Sequence, residues 1–155
     1  MRILIIGTGT IGRAVVAALS AGNEIISASL RSTTHKVDIA DPASIQQMYR
    51  SLGKLDAVVC AAGQAKFAPL AQMSDADFRF SLDNKLMGQV SIVRLGFEHV
   101  QDGGSFTLTA GSLAQEPMPG SAAISLVNAG IEGSPGRPPW RRRAEFASTP
   151  SVRRG

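Results

Sequence analysis

The chain has 155 residues, 44% of them apolar, and a formal net charge of +4, a composition expected to give one domain with a real core. No apolar run reaches the ~18 residues of a membrane span, and the first residues lack the basic start and cleavage site of a secretory leader. No membrane partner is therefore expected, and the cytoplasm is the expected location. The charge is uneven: residues 1–133 carry ten Lys/Arg against eleven Asp/Glu, a balance of −1, whereas residues 134–155 carry six Arg against one Glu, a balance of +5. This divides the chain into a domain over 1–133 and a basic, Pro/Arg-rich tail over 134–155, which lacks helix or strand periodicity and is expected to be disordered in isolation.

In chain order, the apolar run Arg2-Ile3-Leu4-Ile5-Ile6 reads as a strand, Gly7-Thr8-Gly9-Thr10-Ile11-Gly12 as a glycine-rich turn, and Arg13 to Leu19 as a helix. In such a turn the first glycine permits the tight bend, the second lets backbone approach a pyrophosphate, and the third lets helix pack on strand, with the helix N-terminus meeting the phosphate charge. Gly7, Gly9, Thr10, Ile11 and Gly12 are thus candidate nucleotide contacts, a purely structural glycine turn being the alternative. Glu24 to Leu30 reads as a second strand, Lys36 to Ile39 as a short third, and Pro42 to Leu52 as a helix capped by Asp41 with Pro in its first turn. Leu55 to Ala62 reads as a fourth strand, and Asp75 to Val100 as mostly helical with a break near Asp83. Ser105 to Thr109 reads as a fifth strand after the turn Asp102-Gly103-Gly104, and Ser121 to Glu132 as a further helix. Strands alternating with helices predict a doubly wound α/β fold with a parallel sheet, order 3-2-1-4-5. The single cysteine, Cys60, sits in an apolar run and reads as a core residue. His35 and His99 lack neighbours at metal-ligand spacing, so no metal is expected.

Cofactor choice falls at the end of the second strand, where Leu30-Arg31-Ser32 supplies a base and a hydroxyl and no acid. Arg31 can fork onto a 2′-phosphate and Ser32 can add a hydrogen bond, which favours NADP over NAD; a solvated loop arginine is the alternative.

Taken together, residues 1–133 resemble the short-chain dehydrogenases/reductases, a Rossmann-type fold, here truncated after the fifth strand. The likeness rests on Gly7 to Gly12 at the glycine-rich turn, Val37-Asp38-Ile39 where the family's Asp meets adenine, and Cys60-Ala61-Ala62-Gly63 where an Asn-Asn-Ala-Gly type segment follows the fourth strand. It extends to Asn84 in the long helix, to the strand Gly104 to Thr109, and to Ala129-Gly130-Ile131-Glu132-Gly133 beyond the catalytic pair. The resemblance implies cofactor contacts at Asp38, Ile39, Ala61, Ala62 and Gly63, a carbonyl or alcohol as small-molecule substrate, and a homo-oligomer among the partners. Asp38 alternatively reads as a helix-approach or turn carboxylate, and Lys85, beside Asn84, as a cofactor contact or local charge or, by preference, a solvated helix residue.

The catalytic end departs from the family. Its proton donor is a Tyr whose phenolate is held by a Lys four residues later, with a Ser on the carbonyl and an Asn on a water relay. With Ala129 to Gly133 as register, the Tyr position is Ile124 and the Lys position Asn128, neither of which can take the role. The remaining catalytic candidates are Asn84 and Ser112, the latter one residue off the usual spacing, with Thr109 as a second choice for the Ser. Tyr49 reads as a packing residue. Read one frame over, codons that could encode Ser134 to Gly155 also encode Ala-Arg-Ala-Ala-Ala-Val-Glu-Ala-Pro-Arg-Gly-Ile-Arg-Ile-Asn-Thr-Val-Ser-Pro-Thr-Gly. That string resembles the family's continuation as helix, turn and sixth strand, so the tail is expected to be an out-of-frame product of a one-base deletion, and no nucleic-acid partner is expected from its arginines. Three readings follow: an altered NADP-dependent oxidoreductase, a non-catalytic NADP-binding or interaction protein, and an inactive truncated product with no function of its own.

Overall fold

The computed structural model describes residues 1–134 together with Ala147 and Ser148. The elements run β1 (Arg2–Ile6), α1 (Thr10–Leu19), β2 (Glu24–Ala28), α2 (Pro42–Leu52), β3 (Leu55–Cys60), α3 (Asp75–Ser81), α4 (Gly88–Gly96), β4 (Val100–Ala110), α5 (Ala122–Gly133) and the two-residue β5 (Ala147–Ser148). The order across the sheet is β2-β1-β3-β4-β5, and every pairing is parallel. Strands of such a sheet are covered on both faces and read as continuous apolar runs. Leu4, Ile5 and Ile6 of β1 and Cys60 of β3 are accordingly fully buried.

Alternation of side chains divides the core. Ile3, Ile5, Ala57 and Val59 meet Val15, Val16 and Leu19 of α1 on one face. Leu4, Ile6, Val58, Phe106 and Leu108 meet Ile45, Met48 and Tyr49 of α2 and Ile92 of α4 on the other, where Ile131 of α5 joins them. Burying each such side chain contributes roughly 1.5–3 kcal/mol. Tyr49 is a packing residue as expected: its hydroxyl donates to the Ile92 carbonyl (2.9 Å) and its ring stacks on His99 at 5.1 Å. Burial pushes the Cys60 thiol up to about 11, the behaviour of an inert core cysteine.

Two expectations change. The third strand over Lys36 to Ile39 is reduced to one isolated bridge, Ser29 with Lys36. The Val37 N–H still donates to the Ser29 carbonyl (3.1 Å), but the Asp38 N–H goes to the Ser44 hydroxyl and, just beyond, the Ala40 N–H to the Asp38 carboxylate, as such residues do when they compete with a ladder. The sheet order holds for the remaining strands. The break near Asp83 is a π-helical stretch, Leu82–Met87, between α3 and α4. The α3 start is fixed by a capping box, Ser74 with Asp77, and the Ser74 hydrogen bonds hold the Asp77 carboxyl below its ordinary range. β4 begins earlier than the fifth strand of the sequence reading and carries a register shift opposite Leu55/Ala57. Within the tail, Ala147 and Ser148 pair with Thr109 and Ala110 of β4; the expectation of disorder for the rest of it lies outside the described residues. Among the described residues no helix is long and apolar enough to cross a membrane.

Candidate functional site

The three glycines of the first turn differ in what constrains them. Gly7 has φ +102°, and a Cβ there would sit 2.7 Å from the Ala61 carbonyl oxygen. A Cβ on Gly12 would lie 1.7 Å from the Gly7 oxygen. Both are required by the fold itself: the ends of β1 and β3 at Gly7, and α1 and the turn at Gly12, approach too closely for a side chain. Gly9 has nothing within 4 Å of its Cβ position, so the chain leaves an open space in front of it. Gly9 is also the N-cap of α1, without a side-chain cap and with no acidic residue in the first turn. The first N–H groups of a helix have no intrahelical acceptor and carry partial positive charge, and Thr10 and Ile11 are exposed beside them. An open, acid-free cradle of backbone donors fits a phosphate group.

Next to it, at the carboxyl ends of β1 and β3, lies a cleft of about 140 Å³. It brings together Gly7, Asp38, Ile39, Ala62, Gly63 and Asn84, with Ser29 and Leu30 at the end of β2. The Gly7 N–H donates to Ala28 O and the Ala61 N–H to Ile6 O, both at 2.8 Å, which ties the three strand ends into one rim. Ligands of open α/β sheets sit at this position. Part of the Asp38 carboxylate is engaged by Ala40 N–H at 2.9 Å, so the turn role expected as an alternative is realised. Arg31 is exposed and Ser32 half-buried, both outside the cleft lining. The Ser32 hydroxyl accepts from Thr34 N–H and His35 N–H (3.3 and 3.0 Å) and so shapes the loop that carries Arg31.

Asn84 lies in the π-helical stretch, a local geometry frequent at functional sites. Its Oδ1 accepts the Gln64 N–H at 2.7 Å, which holds the segment after Gly63. Lys85 differs from the solvated helix residue expected of it. It is half-buried, its Cγ lies 2.8 Å from where a Gly63 Cβ would be, and burial lowers its pKa.

The chemistry end is arranged differently. Ser112 is exposed at the start of a 3-10 turn, Ser112–Ala114. The Thr109 hydroxyl donates to the Cys60 carbonyl at 3.0 Å, a bridge between β4 and β3. Gly111, rather than Ser112, faces position 128: a Cβ there would lie 2.9 Å from Asn128 Nδ2. Asn128 is buried, its Oδ1 has no hydrogen-bond partner, and Ile124, one turn earlier, is half-buried. Among the described residues this group holds an amide, a glycine and an isoleucine where proton transfer would need an acid and a cation.

One residue of the site escaped the sequence reading. Gln89 is fully buried; its Nε2 donates to Ala62 O (3.0 Å) and Thr109 O (3.1 Å), and its Oε1 accepts from Thr109 N–H (3.2 Å). The β3–β4 ladder ends at Cys60 and Leu108, and the amide of Gln89 bridges the gap beyond it. It fixes the distance between the cleft wall at Ala62 and the end of β4. A polar residue on the core face of α4, between Gly88 and Ile92, was the available signal.

The family model described as Enoyl-(Acyl carrier protein) reductase matches residues 12–135. Hydroxynaphthalene reductase arp2 of Aspergillus fumigatus is 34% identical over 89 residues, 57% of this chain, and the chain spans 33% of that protein's length. Among solved structures, the protein lin1944 from Listeria innocua superposes with a TM-score of 0.84 at 38% identity, covering 86% of this chain and 67% of that one. A small-chain dehydrogenase in complex with NADPH superposes with a TM-score of 0.80 at 25% identity, covering 86% of this chain and 61% of its own. With the glycine turn, the sheet order and the cleft in place, the chain belongs to the short-chain dehydrogenase/reductase family.

Proposed function

We propose that this chain is an NADPH-binding member of the oxidoreductase lineage, built around a small carbonyl or alcohol substrate, with nucleotide binding as the property it retains. The observation that carries this reading is the open space at Gly9 between two glycines that tolerate no side chain, at the uncapped start of α1. The backbone donors of Thr10, Ile11 and Gly12 would take the pyrophosphate, Asp38 and Ile39 the adenine side, and Ala61, Ala62 and Gly63 the floor under the nicotinamide half. Arg31, with Ser32, would take the 2′-phosphate, which sets NADPH above NADH. That one relative was solved with NADPH supports the choice. When bound, such a nucleotide supplies a hydride.

The chain's own residues then orient the ligands more than they move protons. Asn84 holds Gln64, Gln89 holds Ala62 against Thr109, and the Lys85 stem underlies Gly63. A second reading, a non-catalytic nucleotide-binding or interaction protein, is favoured by Gly111, Ile124 and Asn128, none of which can deliver a proton. Fluorescence titration with NADPH and NADH tests the first reading, the expected result being saturable binding with NADPH tighter. Equal affinities would remove the Arg31 assignment, and absence of binding would remove the reading altogether. The turnover assay separates binding from catalysis: NADPH oxidation near background with a carbonyl panel is expected, and robust turnover lost in Asn84→Ala or Ser112→Ala would restore the enzyme.

A further inference from the structure

We infer that Lys85 is a nucleophilic amine that captures a small aldehyde as an imine at the edge of the cleft, a covalent site that does not depend on nucleotide binding. The chain has four lysines, and all four are among the described residues. Lys36, Lys54 and Lys66 are exposed, and Lys85 alone is half-buried. Lys54 donates to the Glu98 carbonyl at 2.8 Å and Lys66 lies 3.9 Å from Asp77, whereas the Lys85 ammonium has no hydrogen bond or ion pair among the described residues. Burial alone lowers its pKa, with no carboxylate to offset it. An unpaired ammonium is costly where it is partly stripped of water, so the neutral amine, which is the nucleophilic form, gains population.

The fold sets this amine beside the cleft. Lys85 follows Asn84 in the π-helical stretch Leu82–Met87, and Asn84 lines the cleft together with Gly63 and Gln64. Gly63, exposed and with φ +133°, is what lets the lysine stem lie there: a Cβ on it would come 2.8 Å from Lys85 Cγ and 3.1 Å from Lys85 Cα. Asn84 Oδ1 accepts the Gln64 N–H at 2.7 Å, so the segment facing the stem is tied to the helix that carries it. On the other side Leu86 packs against Gly130 of α5, where a Cβ would lie 2.8 Å from Leu86 Cδ2. With both sequence neighbours of Lys85 anchored, attack starts from a fixed backbone position, which lowers its entropic cost. The amine nitrogen bonds to the aldehyde carbon while the carbonyl π pair passes to oxygen. A proton then moves from nitrogen to that oxygen, and water leaves as the C=N bond forms, with no oxidant, reductant or cofactor consumed. The neutral imine removes the cost of a buried charge, and a cleft of about 140 Å³ admits aldehydes of only a few carbons.

The test treats the full chain, without nucleotide, with propanal and sodium cyanoborohydride at neutral pH. The reductant turns each imine into a stable secondary amine, and peptide mass mapping reads which lysine carries it; the α-amine of Met1, which labels as well, is mapped separately. Lys85 is expected to be labelled about tenfold faster than Lys36, Lys54 or Lys66, and the four rates are expected to become equal in denaturant. Lys85→Arg is expected to remove the fast adduct and leave the other three. Labelling of Lys85 no faster than that of the exposed lysines overturns the inference. A Lys85 preference that survives in denaturant also overturns it, because the local sequence and not the fold would then set the reactivity. Without reductant the adduct is expected to be lost on dialysis, and an adduct that persists contradicts an imine.

Discussion

The two ends of the site, the glycine turn between β1 and α1 and the group formed by Gly111, Ile124 and Asn128, obey opposite rules. At the first, geometry dictates two of the three glycines, Gly7 and Gly12, which admit no Cβ, and leaves open space at the third, Gly9. At the second, a glycine, an isoleucine and an amide stand close together, and the buried amide oxygen is left without a partner. The difference teaches that nucleotide binding and proton delivery are separable in this architecture, because one lives in backbone shape and the other in three side chains.

The largest way to break the cradle is Gly12→Val. With a Cβ 1.7 Å from the Gly7 oxygen, helix and strand must separate, and a loss of about 4 kcal/mol or more in denaturant melts is expected, together with loss of NADPH binding. Gln89→Ala comes next. It strands Ala62 O together with Thr109 O and N–H, at about 2–4 kcal/mol, and weakens NADPH because the cleft wall is no longer held. Arg31→Ala leaves stability unchanged and removes about 1–3 kcal/mol of NADPH preference over NADH, measured by titration. At the other end of the comparison, Asn128→Leu replaces a buried amide whose Oδ1 is unpaired and is expected to change stability by less than about 1 kcal/mol and to leave NADPH affinity alone. A large loss in that variant would mean that Asn128 holds a ligand or a water that the cradle depends on.

Strand runs and the glycine turn are legible in the sequence because a buried parallel strand and a helix meeting it head-on each leave a local pattern: Ile3 to Ile6, then glycine at 7, 9 and 12. The carboxyl end of β3 was legible through Ala61 to Gly63 for the same reason. The third strand reads as a strand because its apolar residues, Val37 and Ile39, do go inward, but Ser44 and Asp38 take the next donors and stop the ladder at the Ser29–Lys36 bridge. Gln89 was missed because a single polar residue on a helix face does not announce which backbone groups it will meet. Ser112 is a candidate by type and by a spacing one residue off the family's; the packing of Asn128 against Gly111 depends on how the β4–α5 loop bends, which sequence spacing alone does not give.

The account is tested most directly by following NADPH fluorescence and absorbance together while the protein is added and then a broad panel of carbonyl compounds. It predicts saturable binding followed by no oxidation above buffer, since the cradle is present and Ile124 and Asn128 offer no proton. Rapid oxidation dependent on the protein, or no binding at all, would contradict it.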